Sequence, residues 1–362
     1  MRMEQSIAPR FFLGANAKTG FFSLYDGFTD PAAGDFLWAI KGSPGCGKSS
    51  FMRRIGQAAE RSGLRVEYIL CSGDPDSLDG VYFPERRVAY VDGTAPHVIE
   101  ASYPGAASLY LDLGAYLDAG ALEDHLAEIM ELNRQYKTLY AAAYALLGAG
   151  AALLPKNQPG LVGGAAMDRL NRRVDGIAAR ELPPRKKQAA VMHRFLSARS
   201  CQGHVVLTDT LQTLCRRIFL LDNAFGLGHA ALERLASLAE ARGWDAIRCH
   251  DPLEPEQLEA LILPERSLGF LAVEDASALS GTEGVRHLRL DALAARTLDP
   301  GLRPLLRQRR KESRALLRAA EETLAQAKAL HDALEAIYHP HVDFDGVGAL
   351  AEDHIRWLLE AT

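Results

Sequence analysis

The chain is poor in cysteine, has few long apolar runs and carries little excess charge of either sign. Its five cysteines (Cys46, Cys71, Cys201, Cys215, Cys249) are odd in number, widely spaced and never arranged as C-x-x-C. That excludes a disulfide framework and a zinc knuckle and points to a reducing compartment. The 41 basic and 46 acidic side chains leave a formal charge of −5, too balanced for general adhesion to nucleic acid or to an acidic membrane surface, so any such contact has to be local. The N-terminus has no basic region, apolar core or small-residue cleavage site and reads as mature cytoplasmic sequence. Residues 138–154 hold no charge over 17 positions. A membrane span needs about 20 predominantly apolar residues, and this stretch is largely Ala and Gly, so a packed helix and no membrane partner are expected.

What is present is a repeated α/β pattern. The 362 residues, 48% hydrophobic and 24% charged, suffice for two domains with cores. Asp74-Pro-Asp-Ser-Leu-Asp-Gly-Val-Tyr-Phe-Pro-Glu-Arg86 aligns without a gap on Glu254-Pro-Glu-Gln-Leu-Glu-Ala-Leu-Ile-Leu-Pro-Glu-Arg266, with five of 13 positions identical and three more exchanging Asp for Glu. Upstream, Phe36-Leu-Trp-Ala-Ile40 faces Arg217-Ile-Phe-Leu-Leu221, so each half is one copy of the same unit. Within the first copy the pattern reads as an apolar strand, a glycine turn, an amphipathic helix over 49–61, a strand at 65–71, an acidic turn and a strand at 87–91. Short apolar strands alternating with helices predict a parallel sheet covered on both faces. Apolar positions then recur every three or four residues over 122–154 and 316–337. These stripes pack either on their own domain or on each other, within the chain or across a homodimer. The Pro183-Pro184 pair and the charges after it mark a linker, giving domains at 1–182 and 188–362.

Gly42-Ser-Pro-Gly-Cys-Gly47-Lys48-Ser49 fits G-x-x-x-x-G-K-[ST] and falls between a strand and a helix, as a P-loop requires. Its glycines let backbone N–H groups turn inward and, with the helix N-terminus, cradle phosphate oxygens. Lys48 would reach the β- and γ-phosphates, and the Ser49 hydroxyl would bind Mg²⁺. Val88-Ala-Tyr-Val91 is an apolar strand that ends on Asp92, the expected Walker B carboxylate; its competing role is to cap the turn at Gly93. Thr94 and His97 follow where a side chain could sense the γ-phosphate. Asp74, Asp76 and Asp79 lie at the carboxyl end of the second strand, and one of them, or Glu85, is the candidate general base.

The second copy reads Asn223-Ala-Phe-Gly226-Leu-Gly228-His229-Ala230 where the first has its loop, and Ala272 where the first has Asp92. With the lysine, hydroxyl and carboxylate all replaced, Mg-nucleotide hydrolysis is not expected there. His339, His341, Asp343, Asp345 and His354 have metal-ligand chemistry without a recognised spacing. The basic runs 309–311 and 185–187 read as solvated faces or as a source of an arginine acting in trans. Cys46 sits in the loop at a helix N-terminus, where a lowered thiol pKa would make it oxidisable.

On residues 14–26, the loop from Gly42 to Ser50, Cys71-Ser-Gly-Asp-Pro-Asp-Ser-Leu-Asp79 and Val91-Asp-Gly-Thr-Ala-Pro-His97, the chain resembles a bacterial family of tandem P-loop ATPases and nucleotide-binding proteins. The resemblance covers essentially the whole chain. It implies two tandem P-loop NTPase-like α/β domains, each followed by long amphipathic helices. It also implies ATP binding with Mg²⁺ through Gly42, Ser43, Pro44, Gly45, Cys46, Gly47, Lys48, Ser49 and Ser50. Members of that family often carry a usable loop in both halves, and this chain departs from them at Asn223, His229 and Ala230. The loop and the Asp92 motif are also similar to those of nucleotide monophosphate kinases, with Asp74 or Asp76 for the acceptor, but no arginine-rich lid segment stands beside the site. An ATPase or ATP-driven switch, a small-molecule kinase and a non-hydrolysing nucleotide scaffold therefore stand as alternatives, with an unidentified protein or small molecule as partner. ATP is favoured over GTP because no N-K-x-D is present.

Overall fold

Runs such as Phe36-Leu-Trp-Ala-Ile40, too short for helices and bounded by Gly and Asp, form strands. A computed structural model describes residues 8–95, 98–157, 160–274, 283–296 and 298–360. In its first half the strands are β1 (Arg10–Phe12), β2 (Gly14–Ala17), β3 (Gly20–Ser23), β4 (Phe36–Lys41), β5 (Glu67–Leu70), β6 (Leu78–Phe83), β7 (Val88–Asp92) and β8 (Ser108–Asp112). Helix α1 (Lys48–Arg61) follows β4, and α2 (Leu126–Leu153) and α3 (Gly164–Glu181) close the half. The second half repeats the series as β9 (Val191–Phe195), β10 (Ser197–Ser200), β11 (Gly203–Val206), α4 (Thr208–Leu214), β12 (Arg217–Asp222), α5 (Leu227–Ala241), β13 (Ala246–His250), β14 (Leu258–Leu263), β15 (Leu268–Val273) and β16 (Val285–Leu288). It ends with α6 (Asp291–Ala295), α7 (Arg303–Tyr338) and α8 (Phe344–Glu360).

Twelve strands make one sheet in the order β8-β4-β7-β6-β5-β1-β9-β13-β14-β15-β12-β16. The two halves contribute the same order outward from the centre, where β1 and β9 meet antiparallel at Phe12 and Phe195. The sheet is mixed, which corrects the expectation of all-parallel strands. β6 runs antiparallel to β5 and β7, and β14 does the same between β13 and β15. The segment read as an acidic turn holds the missing strand. Only seven residues separate Leu70 from Leu78, enough for a hairpin and too few for a parallel crossover. The order next to the glycine loop is parallel as expected, with β4 between β7 and β8.

The helices do not stay with the half that encodes them. α8, from the end of the chain, lies on α1, and its Val347, Ala351, Ile355 and Leu358 join the first half's core. α3, encoded in the first half, lies on α5, and its Leu170, Val174, Ile177 and Ala178 join the second half's core. Each fully buried large aliphatic side chain contributes roughly 1.5–3 kcal/mol, so both halves depend on helices supplied across the midline. The two apolar stripes pack on each other: α2 and α7 form a long antiparallel pair, with Tyr136 against His331 at one end and Ser313 donating to the Gly150 carbonyl (2.7 Å) nearer the other. Gly150 permits the approach, since a Cβ there would lie 2.8 Å from Leu317. At its N-terminal end the α2 stripe is uncovered, with Leu126 and Met130 exposed. Among the described residues no helix is long and apolar enough to cross a membrane.

Candidate functional site

The Gly42–Ser49 motif forms the turn between β4 and α1 at the carboxyl edge of the sheet. Gly45 (φ 69°) and Gly47 (φ 89°) adopt the left-handed backbone that the turn requires. The parallel register sets Ile40 beside Asp92, and this brings Asp92 to the loop. Lys48 Nζ donates to the carbonyls of Gly42 (3.2 Å) and Ser43 (3.0 Å) and lies 3.7 Å from Asp92 Oδ2. Asp92 also caps the turn that follows β7, its Oδ1 accepting from the Thr94 amide (2.9 Å) and hydroxyl (2.6 Å). The Ser43 hydroxyl is buried without a hydrogen-bond partner among the described residues. Ser49 Oγ accepts from the Leu78 amide at 2.9 Å, Pro44 is half-buried in the turn, and Ser50 lies on the exposed face of α1. His97 lies outside the described residues.

Cys46 differs from expectation. Its side chain turns into the core, 1% exposed, and burial pushes the thiol up despite the nearby Lys48 charge. Desolvation of the thiolate outweighs the helix N-terminus, so Cys46 is a packing residue and not a ready oxidation site.

The acidic candidates separate. Asp74 is at the loop's edge of the sheet but is held by Ser77 Oγ (3.0 Å) and by Lys328 of α7 (3.4 Å). Asp76 accepts from Gln202 (2.8 Å), and Asp79 is buried and accepts from Tyr25 (3.0 Å). Glu85 is at the other end of the sheet. It lies in the turn before β7, bound to Arg65, while Asp92 is at the far end of that strand. It cannot serve the loop as a base, and the sequence reading is corrected there.

The C-terminal tail covers the loop, a feature the sequence reading missed. A Cβ at Gly45 would lie 3.1 Å from the carbonyl of Glu335, near the end of α7, and one at Gly47 would lie 3.4 Å from the Phe344 ring. The Glu335 carboxyl is held below its ordinary value chiefly by His331 (3.4 Å) and to a smaller extent by the neighbouring Gly45 amide. A groove of about 410 Å³ opens between residues 115–118 and 340–343, where the tail crosses the segment after β8. It includes His341 and Asp343, but the described residues gather no set of three or more metal-ligating side chains. His354 is instead in the core, bonded to Tyr90 (2.9 Å).

In the second half Gly226 is the left-handed N-cap of α5 (φ 78°), as Gly47 is of α1, and Lys156, just after α2, lies against it. The Lys156 ammonium reaches Asp251 (2.7 Å) and Glu254 (3.3 Å) and is 7% exposed. His229 Nε2 is 3.5 Å from Asp251, and burial together with Lys156 pushes the imidazole down to about 3. Glu259 is pushed up to about 8 by burial and by the Asp251 charge, and pairs with Ser197 (2.7 Å). Only the single cation following a long uncharged stretch hinted at Lys156 in the sequence. Of the basic runs, Arg185 and Lys187 pair with Glu265 and Asp245. Arg310 precedes Glu335 on α7 by 25 residues, roughly 37 Å of helix, so it does not reach the Lys48 loop of its own chain.

Comparison of the chain with protein-family models, with curated proteins and with solved structures finds no match.

Proposed function

We propose that the Gly42–Ser49 loop is a P-loop that binds Mg-ATP, and that the protein is an ATP-operated switch with slow hydrolysis at this one site. The observation that carries the reading is Lys48 held between the loop carbonyls and Asp92 at the carboxyl edge of the sheet. The residues suit a phosphate group: two left-handed glycines shape the cradle, and the buried Ser43 hydroxyl lacks a partner that a phosphate oxygen would supply. Ser49 and Asp92 would hold Mg²⁺, which when bound neutralises charge on the phosphates. Lys48 would leave the loop carbonyls for the phosphate oxygens. The Gly45 amide would exchange the Glu335 carboxylate for phosphate, since one N–H cannot serve two anions fully. Binding thus releases the end of α7 and the start of α8, and this release is the switching motion.

A kinase would need Asp74 or Asp76 open to an acceptor, and their engagement with Lys328 and Gln202 favours the switch. The altered second loop, filled by Lys156, supports a structural part for that half. The test is Mg-ATP binding and phosphate release by the wild-type protein and by Lys48→Ala. Binding that disappears in the variant, with unchanged thermal unfolding, is expected; equal affinity in the two proteins sinks the assignment.

A further inference from the structure

The first sixteen residues of α7, Arg303 to Arg318, hold seven of the chain's 41 basic side chains and one of its 46 acidic ones. Five of the seven, Arg303, Arg307, Lys311, Arg314 and Arg318, are exposed and follow one another at intervals of three or four. On an α-helix they occupy one face about 80° wide and about 22 Å long. Arg314 lies 3.6 Å from Glu274, whereas Arg307, Lys311 and Arg318 make no ion pair among the described residues. A row of like charges on one helix face is destabilising by itself. It persists here in a protein whose total charge is −5.

We infer that this face of α7 is a docking surface for the phosphate backbone of a nucleic acid, read without base specificity. Successive cations stand about 5–6 Å apart along the axis, which suits a polymer carrying one phosphate per residue better than an irregular acidic protein surface. Four of the five are arginines, whose planar forks match phosphate oxygens in pairs. A bilayer fits less well, because an interfacial helix must bury an apolar face in lipid, and the apolar face of α7 (Leu306, Leu317, Ala320) is already spent on the protein interior and α2. The surface stands whether or not the Lys48 loop takes nucleotide, and it is local, as the overall charge balance requires.

The experiment is fluorescence anisotropy with labelled 20-residue single-stranded and 20-base-pair duplex DNA, titrated at several KCl concentrations. Binding is expected to weaken with a log–log salt slope of about −4.5 for duplex and about −3.5 for single strand if five phosphates are neutralised. Arg307→Glu/Lys311→Glu/Arg318→Glu should lose at least tenfold in affinity and flatten the slope, with an unchanged thermal midpoint. The control Arg169→Glu/Arg172→Glu/Arg173→Glu makes the same charge change on α3 and should lose far less. The inference is overturned by absence of wild-type binding at low salt, by equal losses in the two triple variants, by binding only to phosphatidylserine vesicles, or by salt-sensitive self-association in place of DNA binding. The wild-type salt slope needs no variant, so a misfolded triple does not leave the question open.

Discussion

Replacing Glu335 by glutamine should tighten nucleotide binding, although the residue touches no nucleotide in the proposed complex. In the closed tail its carboxylate faces His331 at 3.4 Å and lies beside the Gly45 amide, whose N–H it is proposed to hold. A hydrogen bond to a charged group contributes about 1.5–3 kcal/mol when well buried. The Glu335 side chain is 39% exposed, so solvent screening reduces this to about 1 kcal/mol. If the closed tail must open before phosphate enters, the apparent Kd is the intrinsic Kd divided by the open fraction. Removing about 1 kcal/mol from the closed state raises that fraction, and lowers Kd, about fivefold. The gain belongs in the association rate, because the bound state has already lost the contact. Stopped-flow binding of a fluorescent ATP analogue separates the two rate constants. Unchanged affinity, or a gain confined to the dissociation rate, refutes the competition between Glu335 and phosphate for the Gly45 amide.

Two further outcomes concern the second half. Lys156→Ala leaves Asp251 a buried acid without its lysine, while Glu254 keeps Lys18 at 2.9 Å, and should cost about 3–5 kcal/mol in urea unfolding; a loss under about 1 kcal/mol would mean that the pair is not a lock. Glu259 titrates near 8 when folded against an ordinary 4.5, so the folded protein keeps a proton that the unfolded chain releases. Its stabilising contribution is complete below 4.5 and is lost as pH rises through about 8. Glu259→Gln has no such loss, so its stability relative to wild type should improve by up to about 1.4 kcal/mol per pH unit across that window, and parallel stability curves at pH 5, 6.5 and 8 would contradict the assignment.

Local chemistry was legible in the sequence and long-range exchange was not. The loop from Gly42, the strand ending at Asp92 and the helix after Lys48 each depend on neighbours in the chain, and all three form where the spacing placed them. The duplication was legible too, and it maps onto two strand series with the same order. β6 is not legible because Asp79 and Gly80, directly after its first residue Leu78, break the apolar pattern next to an Asx-rich turn, and a strand buried by neighbours need not announce itself by composition. Glu85 is excluded by direction alone: it precedes the strand that ends on Asp92, so it lies at the opposite end of the sheet from the loop. Cys46 was read from its position at a helix N-terminus, but its burial is set by the core behind the loop. A helical stripe records that a partner exists without saying which one, so the α2–α7 pairing stands in the sequence only as one of several alternatives, and the crossing of α3 and α8 is not legible there at all.

That crossing bears on why one loop kept its lysine and the other did not. Each loop is covered near the end of a long helix encoded in the opposite half, Glu335 over Gly45 and Lys156 over Gly226. Over the intact motif the covering side chain is a part-exposed anion, which faces His331 as well as the loop and which, in the proposed switch, another anion replaces. Over the altered motif it is a buried cation bound to two carboxylates, and a phosphate entering there would have to break that set. A lysine at position 229 would place a second ammonium beside Lys156, which already helps to push the present imidazole down, so Lys156 and a loop lysine exclude one another. Lys156 is therefore the cation beside the second loop, where the first loop has its own Lys48. In the proposed switch, the α2–α7 pairing would let the end fixed at Lys156 serve as an anchor while the Glu335 end is released.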